Sequence, residues 1–265
     1  MPTINRIMLN AGHYSNYYNQ GANTAYYESA MAWKLQGFLK TELERYGFEV
    51  DTTRTDINTN PAPYDRGYSA GDYDLYISLH SNAIDNSPST RRVVVIHSYD
   101  NFNNSSVLGT KLCKNISRGM DIPGEYQLYS LKSEYGNYEA YLELRGARAA
   151  GCPLYYILEH GFHTNYGVST WLLSDEHLQK LARIEAYTIG QYAGRKHKKG
   201  DINGNGMVDQ SDVNEIMIMT ENLLYGEPDD QRMTADMTFD GYVDYSDQAM
   251  AQNIVNGTYI FPYNV

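Results

Sequence analysis

Cysteine is scarce: Cys113 and Cys152 are the two in 265 residues. With no Cys-x-x-Cys pair, a cysteine-held metal knuckle is excluded. Two isolated thiols argue for reduced cysteines rather than a disulfide framework. Long hydrophobic runs are missing too. None approaches the ~20 residues that cross a bilayer, so no membrane span is expected. The opening "MPTINRIMLNAGHY" has no basic stretch leading into a long apolar one, so no signal peptide is expected. A chain whose leader had been removed would look the same. A basic surplus is also lacking. The net charge of −11 belongs wholly to residues 201–265, where twelve acidic residues face one basic residue, Arg232; the first 200 hold 20 of each sign. Nucleic acid is thereby excluded as a partner, because nothing is available to neutralise its phosphates. An acidic tail suits cations instead.

The hydrophobic fraction of 42% and charged fraction of 20% are those of a folded chain. Two charge regimes imply two domains, 1–197 and 198–265, joined through "GRKHKKGD" (Gly194–Asp201), a basic stretch fit to end a helix. Before it, strand-like and helix-like segments alternate. Strands are expected at Ile4–Asn10, Phe48–Arg54, Asp74–His80, Arg91–Ser98 and Leu154–Glu159. Helices are expected at Asn23–Tyr46, Pro61–Ala70, Ser105–Met120, Tyr138–Ala150 and Asp175–Arg195. Such alternation predicts an α/β fold: a mostly parallel twisted sheet with helices on both faces. Open sheets of this kind carry their chemistry at the carboxyl ends of the strands.

Polar groups recur at those ends. His13 follows the first strand in "NAGHY", His80 ends the third in "SLHSNA", and Glu28 opens the long helix. Catalytic zinc takes three protein ligands and an open position, which makes these three candidates. Each is weak alone, and Glu42 and Glu44, further along the helix, compete with Glu28. "LYYILEHGFHTN" (Leu154–Asn165) adds Glu159, His160 and His163 at another strand end. A carboxylate there that binds no metal can move a proton. Asn82 can orient His80 or touch substrate. Arg54 and Arg66 can bind a substrate carboxylate, or pair with Asp56 and Asp65. His97 reads as structural.

The tail repeats itself. "DINGNGMVDQSD" (Asp201–Asp212) aligns with "DMTFDGYVDYSD" (Asp236–Asp247), each with Gly at position six and Asp at one, nine and twelve, and each leading into a helix-like run. A calcium loop needs oxygens at alternating positions, a turn-forming Gly at six and a carboxylate at twelve. Asp201, Asn203, Asn205, the Met207 carbonyl, Asp209 (through water) and Asp212 meet that spacing. So do Asp236, Thr238, Asp240, the Tyr242 carbonyl, Asp244 and Asp247. The expected result is a small all-α domain with two EF-hand-like calcium loops. The pair resembles a type I dockerin, which implies Ca2+ and a cohesin-like protein or a wall ligand as partner. Gln210-Ser211 and Tyr245-Ser246 depart from the Ser-Thr-like pair usual at positions ten and eleven.

From Ile4 to Arg195 the ordered pieces "LNAGHY", "ANTAYYES", "GFEVDTTRTD", "RGYSAGDYDLYISLHSNA" and "PLYYILEHGFHTN" resemble the zinc-dependent N-acetylmuramoyl-L-alanine amidases of the type 3 class. The resemblance implies His13, Glu28 and His80 as zinc ligands and Glu159 as catalytic acid and base. It implies peptidoglycan as substrate, cut between N-acetylmuramic acid and L-alanine. Without a leader, a phage or prophage endolysin released from the cytoplasm is expected. The alternatives are a secreted autolysin, a zinc peptidase acting on stem peptides, and a non-catalytic wall-binding dockerin protein.

Overall fold

The computed structural model describes residues 3–85, 87–195, 198–221 and 230–263. The chain divides into two compact units, Met1–Ile189 and Gly190–Val265. The division falls before the basic stretch expected to mark it, and residues 196 and 197 of that stretch lie outside the described residues.

Among the described residues the first unit holds six strands: β1 (Arg6–Ala11), β2 (Glu49–Thr52), β3 (Leu75–Asn82), β4 (Val93–His97), β5 (Tyr126–Ser130) and β6 (Leu154–Phe162). They form one sheet in the order β2-β1-β3-β6-β4-β5. Every pairing is parallel except β4 against β6. Its helices are α1 (Glu28–Arg45), α2 (Pro63–Tyr68), α3 (Ser106–Gly119), α4 (Leu142–Ala149), α5 (Tyr166–Trp171) and α6 (Asp175–Tyr192). Sequence periodicity did not indicate β5 or α5. β5 is a half-exposed edge strand without an apolar run, and α5 has six residues, too few to show a period. β6 runs three residues past Glu159, because an irregularity in β3 between His80 and Asn82 lets pairing continue to Asn82 opposite Phe162.

The pleat sorts these strands into two faces. Met8, Tyr76, Tyr155 and Ile157 pack with Leu144 and Ala147 of α4. The alternate residues Tyr156 and Val95 lie against Gly109 of α3. Helices therefore cover both faces. Tyr76, Leu144 and Tyr155 are at most 1% exposed; burying a side chain of this size contributes ~1.5–3 kcal/mol.

One close crossing matters for the site. A Cβ on Gly67 of α2 would lie 1.8 Å from the Glu143 carbonyl oxygen, and one on Gly146 of α4 would lie 2.1 Å from that of Tyr64. The two backbones touch there, which only glycines allow.

The second unit holds α7 (Gln210–Glu221), α8 (Asp230–Ala235) and α9 (Tyr245–Val255), with α7 packed on α9. Gln210 and Gln252 exchange amide hydrogen bonds of 3.3 Å between those helices. Val213, Ile216, Met237, Phe239 and Ala251 form its core. Among the described residues, no helix is long and apolar enough to cross a membrane.

Candidate active site

The parallel strands β1 and β3 end side by side, and the chain turns from β1 through Gly12 into His13. A Cβ on Gly12 would meet the His80 ring at 2.4 Å, so glycine there makes room for the imidazole. His13 itself sits at φ 61°, a strained value for a non-glycine residue. Its ring stacks on Tyr18 at 4.8 Å.

Glu28 is the first residue of α1 and only 2% exposed. Its Oε1 lies 2.9 Å from His80 Nδ1 and its Oε2 lies 3.1 Å from His13 Nε2. Asn19 Nδ2 and the Ser81 amide donate to it as well, at 2.7 and 3.1 Å. Burial alone would raise the Glu28 carboxyl. The His13 and His80 hydrogen bonds outweigh burial and hold it well below the usual carboxylate range. The same environment raises His80: desolvation opposes its charge, but Glu143 and Glu28 prevail. One ligand atom from each of His13, Glu28 and His80 lies within 4.8 Å of the others, the one such grouping of three His, Cys, Asp or Glu among the described residues. Neither competing carboxylate reaches it: Glu42 pairs with Arg45, and Glu44 with Lys40.

Glu159 lies opposite His80 in the β3–β6 register. Alternation places Ser78, His80, Ile157 and Glu159 on the face that carries α4. Glu159 Oε2 is buried without a hydrogen-bond partner. Desolvation pushes its carboxyl up to about 7; His80 opposes the rise and Glu28 adds to it. A carboxyl poised there exists in both protonation states near neutrality, as a proton-transfer group must.

His160, one residue on, points to the opposite face. Its Nε2 lies 2.8 Å from Glu185 Oε1 of α6, with both side chains fully buried, and its Nδ1 lies 2.9 Å from the His80 carbonyl. It anchors the strand from behind. His163 lines the cleft, with Nδ1 held by Ser81 Oγ at 2.9 Å and burial keeping its pKa low.

These groups surround an open cleft of about 480 Å3, which Asn19, Asn82, Tyr141 and Leu142 also line. Asn82 bonds the Ala83 amide at 2.8 Å rather than His80. Arg54 and Arg66 form neither ion pair expected of them. Arg54 donates to the carbonyls of Ala11, Ile57 and Thr59 and braces the loop after β2. Arg66 donates to the Pro61 carbonyl and Asn60 Oδ1. His97 bonds Ser105 Oγ at 2.9 Å, away from the site. Both cysteines are free and buried, and burial pushes each thiol up to about 12.

The sequence gives no sign of one acidic residue of the site. Glu143 of α4 lines the cleft with its Oε2 3.6 Å from His80 Nε2. "YLELRGARAAG" advertises a helix and nothing more.

In the second unit the two loops share a set of hydrogen bonds, although the position-five amide bonds Asn203 Oδ1 in the first and Asp236 Oδ1 in the second. The Gly206 and Gly241 amides donate to Oδ2 of Asp201 and Asp236, at 2.8 and 3.2 Å. Oδ1 of Asp212 accepts from the Ile202 and Asn203 amides, and Oδ1 of Asp247 from those of Met237 and Thr238. Asp209 N and Asp244 N each reach the other oxygen of that carboxylate at 2.9 Å. Asn205 Oδ1 and Asp240 Oδ1 accept from the Met207 and Tyr242 amides, each at 2.8 Å. The repeat seen in sequence is thus a structural duplication.

Two histidines, a buried glutamate and a carboxyl with a buried, unpartnered oxygen thus meet at one rim of a mostly parallel α/β sheet. The chain belongs to the N-acetylmuramoyl-L-alanine amidase family, whose pattern matches residues 7–190; by class it is a peptidoglycan amidase. Solved structures agree on the fold. Cwp6 from Clostridium difficile superposes with a TM-score of 0.61 at 18% identity, over 73% of this chain and 30% of that one. The catalytic domain of CwlV, an N-acetylmuramoyl-L-alanine amidase from Bacillus (Paenibacillus) polymyxa var. colistinus, gives 0.60 at 18% identity, over 73% of this chain and 100% of that one. The amidase AmiC2 of Nostoc punctiforme gives 0.60 at 18% identity, over 72% and 98%. No match was found among curated protein sequences.

Proposed function

We propose that the first unit is a zinc-dependent amidase that cleaves the amide between N-acetylmuramic acid and L-alanine. The observation that carries this reading is the His13–Glu28–His80 cluster, its ligand atoms within 4.8 Å of one another, beside a Glu159 oxygen without a partner. The donor set fits zinc: two imidazole nitrogens face the two oxygens of a buried, ionised carboxylate. When bound, zinc would polarise the substrate carbonyl and make a water acidic enough to attack near neutral pH. Glu159 would accept a proton from the attacking water as the water oxygen adds to the carbonyl carbon. As the C–N bond breaks, Glu159 returns the proton to the departing alanine nitrogen, so protons balance over the cycle.

Digestion of purified walls tests the reaction. The expected products carry new L-alanine amino termini and no new reducing sugars. Reducing ends without amines would mean glycosidase chemistry and would sink the reading. For setting, we propose an endolysin: cytoplasmic expression should lyse cells only once the inner membrane is permeabilised. Lysis without that step would favour a secreted autolysin.

For the tail we propose a dockerin-type module that binds two Ca2+ and engages a cohesin-like protein or a wall component. Its support is the twelve-residue spacing, the duplicated loop geometry and the buried Asp201 Oδ1, which has no hydrogen-bond partner. Calorimetry on chelated protein should resolve two calcium sites; no heat and no thermal shift would remove the calcium reading.

A further inference from the structure

We infer that Glu143 is a positioning residue that holds the His80 imidazole with Nδ1 turned toward Glu28 and His13. The inference rests on the proposed zinc site. It begins with the α2–α4 crossing: because Gly67 and Gly146 let the backbones touch, the start of α4 reaches the sheet beneath His80. The pleat puts Asn10, Ser78 and His80 on that same face.

His80 lies between two carboxylates. Nδ1 is 2.9 Å from Glu28 Oε1; Nε2 is 3.0 Å from Ser78 Oγ and 3.6 Å from Glu143 Oε2. Asn10 Nδ2 donates to both Ser78 Oγ and Glu143 Oε1, at 2.8 and 3.2 Å. A neutral imidazole carries its proton on one nitrogen and a lone pair on the other. For Nδ1 to offer its lone pair to a metal, the proton must sit on Nε2, where acceptors await it. Ser78 Oγ is the near acceptor, and the Glu143 carboxylate supplies the negative charge behind it. Metal-binding histidines commonly rely on such an acceptor to fix tautomer and ring orientation.

A plainer role for Glu143 is to neutralise Arg66 and Arg54. The two roles use different oxygens. Arg66 Nη1 pairs with Glu143 Oε1 at 3.8 Å, while Oε2 faces His80 Nε2 at 3.6 Å, and the guanidinium groups of Arg66 and Arg54 make their hydrogen bonds elsewhere. Glu143 Oε2 is buried and makes no hydrogen bond. The ion pair made through this oxygen is with His80, at 3.6 Å.

Chelator competition with Zn2+ on the full chain tests the inference. Glu143→Gln should weaken zinc binding about 10–100-fold. Adding Arg66→Met should not restore it; restoration would mean that charge balance was the role of Glu143, and unchanged affinity in the single variant would likewise overturn the proposal. Nitrogen-15 spectra of zinc-loaded, histidine-labelled wild type give a second readout that needs no variant to fold. His80 should bind through Nδ1 and keep its proton on Nε2, whereas a metal-bound Nε2 would overturn the inference. Failure of the wild type to bind zinc at all would bring down the underlying site reading as well, a result distinct from either of these.

Discussion

The rim of the sheet and the loops of the tail gather their polar groups by opposite routes. The rim draws His13, Glu28, His80 and Glu159 from separate elements, and they meet because β1, β3 and β6 end together. Each tail loop draws its oxygens from twelve consecutive residues and holds them by local hydrogen bonds. A site of the first kind depends on a whole folded sheet. A site of the second kind travels with a short segment, and this chain carries two copies. The rim is preorganised by a large core, whereas the tail has a small core and the more to gain from a bound ion.

The sharpest contrast lies between neighbours on β6. Glu159→Gln should leave the sheet and zinc binding intact and lower turnover on cell walls by about 10²–10⁴-fold. A variant retaining wild-type turnover would break the assignment. Because Glu159 must be ionised to accept a proton and burial raises it to about 7, kcat/KM should fall tenfold per pH unit on the acid side. Zinc would move that limb downward, since a nearby cation favours the carboxylate. His160→Ala should do the reverse: it leaves Glu185 buried without its imidazole and should cost about 3–5 kcal/mol of stability in denaturant melts.

That contrast explains what could be read in advance. The alternating strands and helices, the ends where His13, His80 and Glu159 sit, and the duplicated loops were all legible, because each is written within a few residues. The split between Glu159 and His160 was half legible: adjacent strand residues face opposite ways, but the direction of the site was unknown. Glu143 was not legible. Its place in the site depends on α2 crossing α4, a contact between segments about eighty residues apart in sequence that carries no pattern in either. Of the two roles the sequence allows Arg54 and Arg66, the ion pairs with Asp56 and Asp65 do not form, for a related reason. Carbonyl partners leave no mark in a sequence, whereas nearby aspartates do.

The crossing can be broken directly. Gly67→Ala would put a methyl 1.8 Å from the Glu143 carbonyl oxygen, with backbone and not a flexible side chain in the way. The helices must separate, which should cost about 1–3 kcal/mol and lower the melting temperature of the full chain. Zinc affinity should fall with it, because α4 carries Glu143. An unchanged melting temperature would show that the helices are free to move apart.

Calcium removal should act on the tail alone. At a hundred times the dissociation constant, one bound ion stabilises the folded state by about 2.7 kcal/mol. Chelation should therefore speed amide exchange in α7 and α9 of the full chain and leave β1, β3 and β6 unchanged. The pH trend should also invert. Desolvation, with Asp236 and Asp240 nearby, raises the buried Asp247 carboxyl to about 7, so its protonated form favours folding. Without calcium, tail stability should rise as pH falls from about 7 toward the free-aspartate value near 4. With calcium, protons compete for the ligands and stability should fall over the same range. Identical pH profiles with and without calcium would mean that Asp247 is not a ligand.

The smallest effect separates the two loops from each other. At position three the first offers the Asn203 amide and the second the Thr238 hydroxyl, which lies 3.5 Å from Asp236 Oδ1. Calcium affinity follows the number and charge of the oxygens supplied. An amide oxygen reaches further than a hydroxyl and carries more negative charge. Thr238→Asn should therefore tighten the weaker calcorimetric site by tenfold or less, about 1.4 kcal/mol at most, and leave the tighter one alone. The two binding steps should draw together. If the tighter step moves instead, the order of affinities is reversed and the first loop, despite its asparagines, is the weaker site.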